Sequence, residues 1–232
     1  MIQRRHLLLG APALGVATLA SAAPDVQTRR RDNRLELWHE YAKRTRTLLA
    51  RVATTRETPL LEEDLVVTGS LLFIAPATLL LIDDSPTGST TIVDPSGSRI
   101  VHNQPRVPDP PLVARGTRPA ADWLGDRLVR TFAPVAPESL IESCRAQVPK
   151  KSGGYRLDLL PPVGSAIRRV IRSYTLELDP TAGAVTRIEI DEVGSGRVTL
   201  GLRDHRQNIE AADYAALVEP LEARGIALTP AR

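Results

Sequence analysis

Three runs of alternating apolar and polar residues in the last third of the chain limit its fold more than any other feature. Tyr174, Leu176 and Leu178 alternate with Ser173, Thr175 and Glu177, Ile188 and Ile190 with Arg187 and Glu189, and Val198, Leu200 and Leu202 with Arg197, Thr199 and Arg203. Successive side chains of a strand point to opposite faces, so each run has one greasy and one wet side. Turn residues at 179–183 and 194–196 separate strands predicted at 171–178, 185–190 and 197–203, and a further strand is predicted at 155–160.

The first half repeats the pattern. Leu65, Val67, Gly69, Leu71, Phe73 and Ala75 fall on one face of a long strand, and Val66, Thr68, Ser70, Leu72 and Ile74 on the other. Pro76 ends that strand. Strands at 78–82, 90–93 and 98–102 continue an antiparallel meander with a turn at Asp94-Pro95-Ser96-Gly97. Leu37/Trp38, Tyr41, Leu48/Leu49 and Val52 recur at helical spacing, which predicts one amphipathic helix over 33–53. A connection at 105–119 holds five prolines and could serve as a linker. Two helices follow, with stripes Ala120, Leu124, Leu128, Phe132 and Leu140/Ile141, Cys144, Val148, and a last helix is predicted at 211–224. Seven or eight strands with three or four modest helices give an α+β protein, economically a strongly curved antiparallel sheet with helices over its hollow.

Composition narrows the function. At 232 residues with 42% apolar and 25% charged residues the chain is globular. Basic and acidic residues nearly balance, 30 against 27, and the longest basic block is Arg29-Arg30-Arg31, which argues against nucleic acid as a partner. Only 3% of residues are aromatic, too few for base-stacking platforms. Residues 1–22 read as an export signal: Arg4-Arg5, an apolar stretch over 7–19, then Ala20-Ser21-Ala22. The arginine pair fits a Tat signal as well as a Sec one. Removal of that segment takes away Arg4 and Arg5 and no acid, leaving +1 on a single domain at 23–232. No later stretch approaches 18 apolar residues, so the mature chain is expected in the periplasm without a transmembrane segment.

The chemistry-bearing residues form no recognisable constellation. His39, His102 and His205 lie at no metal-like spacing, and Cys144 sits on an apolar stripe as a small core residue would. Gly194-Ser195-Gly196 lacks the surroundings of a nucleophile elbow, while Glu62-Glu63-Asp64 and Asp83-Asp84 read as solvated turns. No catalytic residue, metal or cofactor is expected. By themselves the apolar strand faces are what any β protein buries as core.

The run Gly69-Ser70-Leu71-Leu72-Phe73-Ile74-Ala75-Pro76-Ala77-Thr78-Leu79 resembles the glycine, apolar strand, proline, apolar strand pattern of the LolA-like periplasmic carriers of lipids and lipoproteins. The late segment 188–194 running into Val198-Thr199-Leu200, and Asn208 after the last long strand, are similar to the same family, and 57–76 looks like its branch whose cargo is undefined. The resemblance covers about 180 residues. It implies an unclosed β-barrel with a helical lid over an apolar cavity, and a monomer that carries acyl chains from an inner-membrane donor to an outer-membrane acceptor without catalysis. The implied cavity is Leu71, Phe73, Leu79, Leu81, Ile92, Tyr174, Leu176, Leu178, Ile188, Ile190, Val198, Leu200 and Leu202; the implied lid is Trp123, Leu124, Leu128, Phe132, Leu140 and Ile141. Two departures stand out. Ala75 occupies the position before the proline where lipoprotein carriers usually place a lid-holding arginine, and the helix at 211–224 replaces terminal strands. A sensor or interaction module of the same fold, and an exported hydrolase, are the alternatives.

Overall fold

The structure, a computed structural model, describes residues 25–59, 62–104, 108–109, 111, 113–114, 116, 118–149, 154–194, 196–224, 226 and 228. The export signal expected at 1–22 lies outside them, as does Ser195.

The chain begins with α1 (Val26–Ala42), whose first turn is capped by the Asp25 carboxylate accepting from the Gln27 N–H. Five strands follow: β1 (Thr47–Glu57), β2 (Leu65–Ile74), β3 (Thr78–Asp83), β4 (Ser89–Asp94) and β5 (Gly97–His102). A two-residue strand β6 (Val113–Ala114) leads to α2 (Pro119–Phe132) and α3 (Pro137–Ile141). The second half comprises β7 (Arg145–Gln147), β8 (Tyr155–Leu160), β9 (Ile171–Leu178), β10 (Val185–Glu192), β11 (Gly196–Gln207) and α4 (Ala211–Glu222). All eleven strands make one antiparallel sheet in the order β6-β5-β4-β3-β2-β1-β11-β10-β9-β8-β7, with β6 and β7 as unjoined edges. The expected fold class, α+β with an unclosed barrel-like sheet, is what the chain adopts.

Several element boundaries differ from expectation. The helix predicted over 33–53 is two elements: α1 stops at Ala42, and the Leu48/Leu49/Val52 part of the stripe is β1, the strand that joins the two halves of the sheet through β2 and β11. Leu48, Ala50 and Val52 are buried at period two. Tertiary pairing on both edges overrides the helical reading. Likewise α3 ends at Ile141, Ser143 adopts φ 56°, and residues predicted to extend the stripe toward Val148 form edge strand β7. The proline-rich connection, expected as a possible linker, carries β6, paired to β5 in the same sheet.

Two positions show why the motif residues are needed. A Cβ on Gly69 would stand 1.9 Å from the Ile82 carbonyl oxygen, so only glycine lets β2 and β3 approach. Asn208, at φ 54°, accepts from the Arg46 N–H at 2.8 Å and donates to the Arg44 carbonyl at 2.9 Å, tying the α1–β1 connection to the end of β11.

The sheet is covered along its inner face and, over β2 to β5, on its outer face. Its inner face, from Leu79 and Val93 to Leu157 and Leu159, shares one core cluster with Leu35 and Trp38 of α1, Trp123, Leu128 and Phe132 of α2, and Leu140 of α3. Strands β4 to β8 would span about 34 Å if flat, so one cluster under three helices requires the sheet to curl round them. On the outer face α4 packs Val218 and Leu221 against Leu72, Ile74, Leu80, Ile92 and Val101.

Candidate functional site

The candidate site is the hollow of the curled sheet and the helices that fill it. Twelve of the thirteen expected cavity residues meet on the inner face: Leu71, Phe73, Leu79, Tyr174, Leu176, Leu178, Ile188, Ile190, Leu200 and Leu202 are buried there, while Leu81 and Val198 are partly buried against them. Ile92 is a correction. It belongs to the outer-face cluster under α4, and Val93 takes the inward position instead. The pairing Leu80↔Ile92 sets that register, and Leu80 faces outward as well.

The expected lid residues occupy the hollow itself. Trp123, Leu128, Phe132 and Leu140 are buried on the inner face, with Leu124 and Ile141 packed beside them. The Phe132 ring lies 6.3 Å from Phe73, and Trp123 meets Tyr174 edge-on at 6.4 Å. Thr131 links three layers: its hydroxyl donates to the Arg127 carbonyl at 2.7 Å and bonds Tyr174 Oη at 2.9 Å, and its carbonyl accepts from Trp38 Nε1 at 2.8 Å. The helices leave one part of the inner face open, a cleft of about 250 Å³ lined by Val52, Thr54, Leu81, Asp83 and Thr91.

Arg127 was not foreseen. It lies on α2 one helical turn after Trp123 and one before Thr131, 2% exposed, with its guanidinium 5.7 Å over the Trp123 ring. It donates to the Leu140 carbonyl, to the Ser139 carbonyl at 3.5 Å and to the Asp126 carboxylate at 2.9 Å. Arg130 extends the cluster, pairing with Asp126 at 2.9 Å and Glu142 at 2.6 Å. An arginine on α2 thus binds carbonyls of α3, whereas Ala75 donates its N–H to the Arg46 carbonyl at 2.8 Å and packs its side chain on the inner core. The signal was present: Arg127 shares the Trp123/Thr131 stripe, where a solvated arginine would be out of place.

Two of the histidines and the cysteine have structural partners. His39 Nδ1 lies 3.0 Å from the Val135 carbonyl, His205 Nε2 lies 2.8 Å from the Val185 carbonyl, and the Cys144 thiol donates to the Ile141 carbonyl at 3.0 Å. Burial pushes that thiol's pKa up, away from nucleophilic character. Among the described residues no group of His, Cys, Asp and Glu is arranged to hold a metal ion, and no helix is long and apolar enough to cross a membrane.

Burial also raises the Tyr174 hydroxyl well above the ordinary phenol range, against smaller opposing effects of the Thr131 bond and Arg127. Below pH about 10 the folded and unfolded chains both keep this proton; above it the unfolded chain loses the proton first. Stability is therefore expected to fall by about 1.4 kcal/mol per pH unit from this group, starting near pH 10. Denaturant titrations across alkaline pH check this: Tyr174→Phe should lessen the slope, leaving the share of Tyr41, whose hydroxyl burial pushes up to about 12.

An unclosed antiparallel half-barrel wrapped round a helical lid is the class of protein that this geometry defines. Solved structures similar to it include a LolA superfamily protein from Nitrosomonas europaea (12% identity, 82% of this chain and 97% of that chain, TM-score 0.41). A DUF1329 family protein from Desulfovibrio piger is also similar (9% identity, 83% and 97%, TM-score 0.45), as is the lipoprotein LppX of Mycobacterium tuberculosis (10% identity, 78% and 98%, TM-score 0.38). No protein-family model and no curated protein sequence matches the chain.

Proposed function

We propose that the protein is an exported, non-catalytic carrier that shields acyl chains of a lipid or lipoprotein on the inner face of its half-barrel and passes them between membranes or membrane complexes. The observation that carries this reading is how the hollow is filled. Strands β1 to β3 and β8 to β11 present an apolar face covered by α2 and α3, while the charge-assisted bonds of Arg127 and Arg130 stay within those helices and Thr131 makes a single neutral bond to the sheet, at Tyr174. An apolar contact imposes little directional constraint, so an acyl chain can replace the lid side chains over the same surface. Each methylene kept from water contributes about 0.8 kcal/mol, and a dozen suffice for tight binding without a polar code. Transfer then follows the better-binding acceptor, with lid opening setting the rate.

Both tryptophans of the chain report on this exchange, because Trp38 and Trp123 are 1% and 6% exposed in the filled hollow. Protein purified from the periplasm is expected to carry extractable acyl material, detected by mass spectrometry. After delipidation, a bromine-labelled fatty acid should quench both tryptophans in a saturable way. Cargo-free protein that shows no quenching would favour the sensor or interaction module, and ester turnover lost on a single polar substitution would favour the hydrolase.

A further inference from the structure

One end of the half-barrel exposes apolar side chains that the hollow does not use. The connection from β8 to β9 holds Val163 at 95% exposure after Pro161-Pro162, and Val170 at 49%. Val193, 45% exposed in the turn between β10 and β11, donates its N–H to the Val170 carbonyl at 2.7 Å and so stands beside it. The connection is pinned in place. Ser165 N–H bonds the Pro162 carbonyl at 3.2 Å, Arg168 N–H bonds Ser165 Oγ at 3.2 Å, and Gly164 reverses the chain at φ 82°. Isolated exposed valines are ordinary on a protein surface. Their setting here is not.

Residues 161–172 contain Arg168, Arg169 and Arg172 and no carboxylate. Asp191 faces Arg172 at 3.2 Å and Glu192 faces Arg56 at 3.3 Å, which leaves Arg168 and Arg169 without a carboxylate partner among the described residues. Arg168 spends one guanidinium nitrogen on the Arg172 carbonyl, and Arg169 is exposed. The acidic Glu62-Glu63-Asp64 lies at the same end of the sheet but beside β2, four strand spacings from β9. That is about 19 Å, twice the screening length at physiological salt.

An apolar tip flanked by unneutralised guanidinium groups complements the headgroup layer of an anionic bilayer, which offers phosphates at the surface and hydrocarbon just beneath. We infer that this rim docks reversibly on membranes containing anionic phospholipid, with Val163 entering the headgroup layer and Arg168 and Arg169 meeting phosphates. The placement gives docking a consequence. The single 3-10 turn Ile167–Arg169 packs against α2, and the open cleft, lined by the C-terminal half of β3 and the start of β4, lies at this same end of the sheet. A docked molecule presents its lid and the mouth of its hollow to the lipid. This consequence rests on the carrier reading; the docking itself does not.

Co-sedimentation of the full protein with phosphatidylcholine vesicles, with and without phosphatidylglycerol, tests the inference. The parent is expected to bind only the phosphatidylglycerol vesicles, and less as salt rises. Arg168→Gln with Arg169→Gln should weaken binding roughly 25-fold, about five-fold for each arginine. Val163→Asp should weaken it about ten-fold. Arg203→Gln, an exposed arginine at the opposite end of β11, should change nothing. All these sites are at the surface, so unchanged thermal melts confirm that the variants fold. Equal binding to both vesicle types, parent-like binding by the rim variants, or no binding by the parent at low salt would each overturn the inference, the last in favour of a protein partner for this rim. Fatty-acid quenching is measured on the same samples. Loss of quenching with intact vesicle binding removes the carrier reading alone, and the reverse result removes the docking surface alone.

Discussion

Leu200→Glu is expected to displace the lid without dissolving the sheet. Leu200 is 3% exposed, pairs with Ile188 across β10 and with Thr54 across β1, and shares the inner face with Leu202. A carboxylate placed there enters an apolar cluster, and burying it unpaired costs several kcal/mol. Opening α2 and α3 lets water reach the charge, so the penalty is capped by the cost of lid opening, about 3–4 kcal/mol of stability. The expected signature is a retained β-sheet circular dichroism spectrum, a red-shifted emission from Trp38 and Trp123, and no uptake of fatty acid. Loss of the sheet signal together with the tryptophan shift would mean that the face is a permanently closed core. A parent-like melt and emission spectrum would overturn the placement of Leu200 itself.

Arg127→Met should loosen the lid while leaving the fold intact. The substitution keeps volume and apolar contact with Trp123, and Asp126 retains its pairing with Arg130, so no buried carboxylate is orphaned. The Leu140 carbonyl, however, loses its donor. An unsatisfied buried acceptor costs about 2 kcal/mol, which lid opening to water relieves; that is roughly a 30-fold rise in the opening equilibrium. Stopped-flow uptake of a fluorescent fatty acid should accelerate accordingly, with a melting temperature lowered by only about 4–8 °C. Unchanged uptake with a large fall in melting temperature would make Arg127 a core residue only. Arg127→Lys keeps the charge but not the fork whose Nη1 bonds the carbonyls while Nη2 bonds Asp126, and should lie between the two.

Much of this molecule was legible in local sequence. The alternation in 171–203 and 65–75 placed four strands and nearly all of their inward residues, because side-chain direction in a strand is a property of the backbone alone. Period and turn chemistry fail where one segment satisfies two readings. Leu48, Leu49 and Val52 suit a helix stripe as well as a strand, and the choice fell to β2 and β11, which offer β1 hydrogen bonds on both edges. Thr90-Thr91-Ile92-Val93 has no polar alternation to show which residue faces inward, so the register against β3 decided it.

Sequence by itself determined that this chain makes an antiparallel sheet with one apolar face and too few helices to cover it flat, and which side chains share a face. Only the tertiary structure decided that the hollow is filled by α2 and α3, that α4 packs on the outer face, and that the buried arginine joining α2 to α3 sits at 127. Each of those outcomes depends on contacts between segments distant along the chain: Trp38 with Thr131, Phe73 with Phe132, Leu80 and Ile92 with the α4 cluster. Periodicity records the direction of a side chain relative to its own backbone, and carries no information about what will stand opposite it.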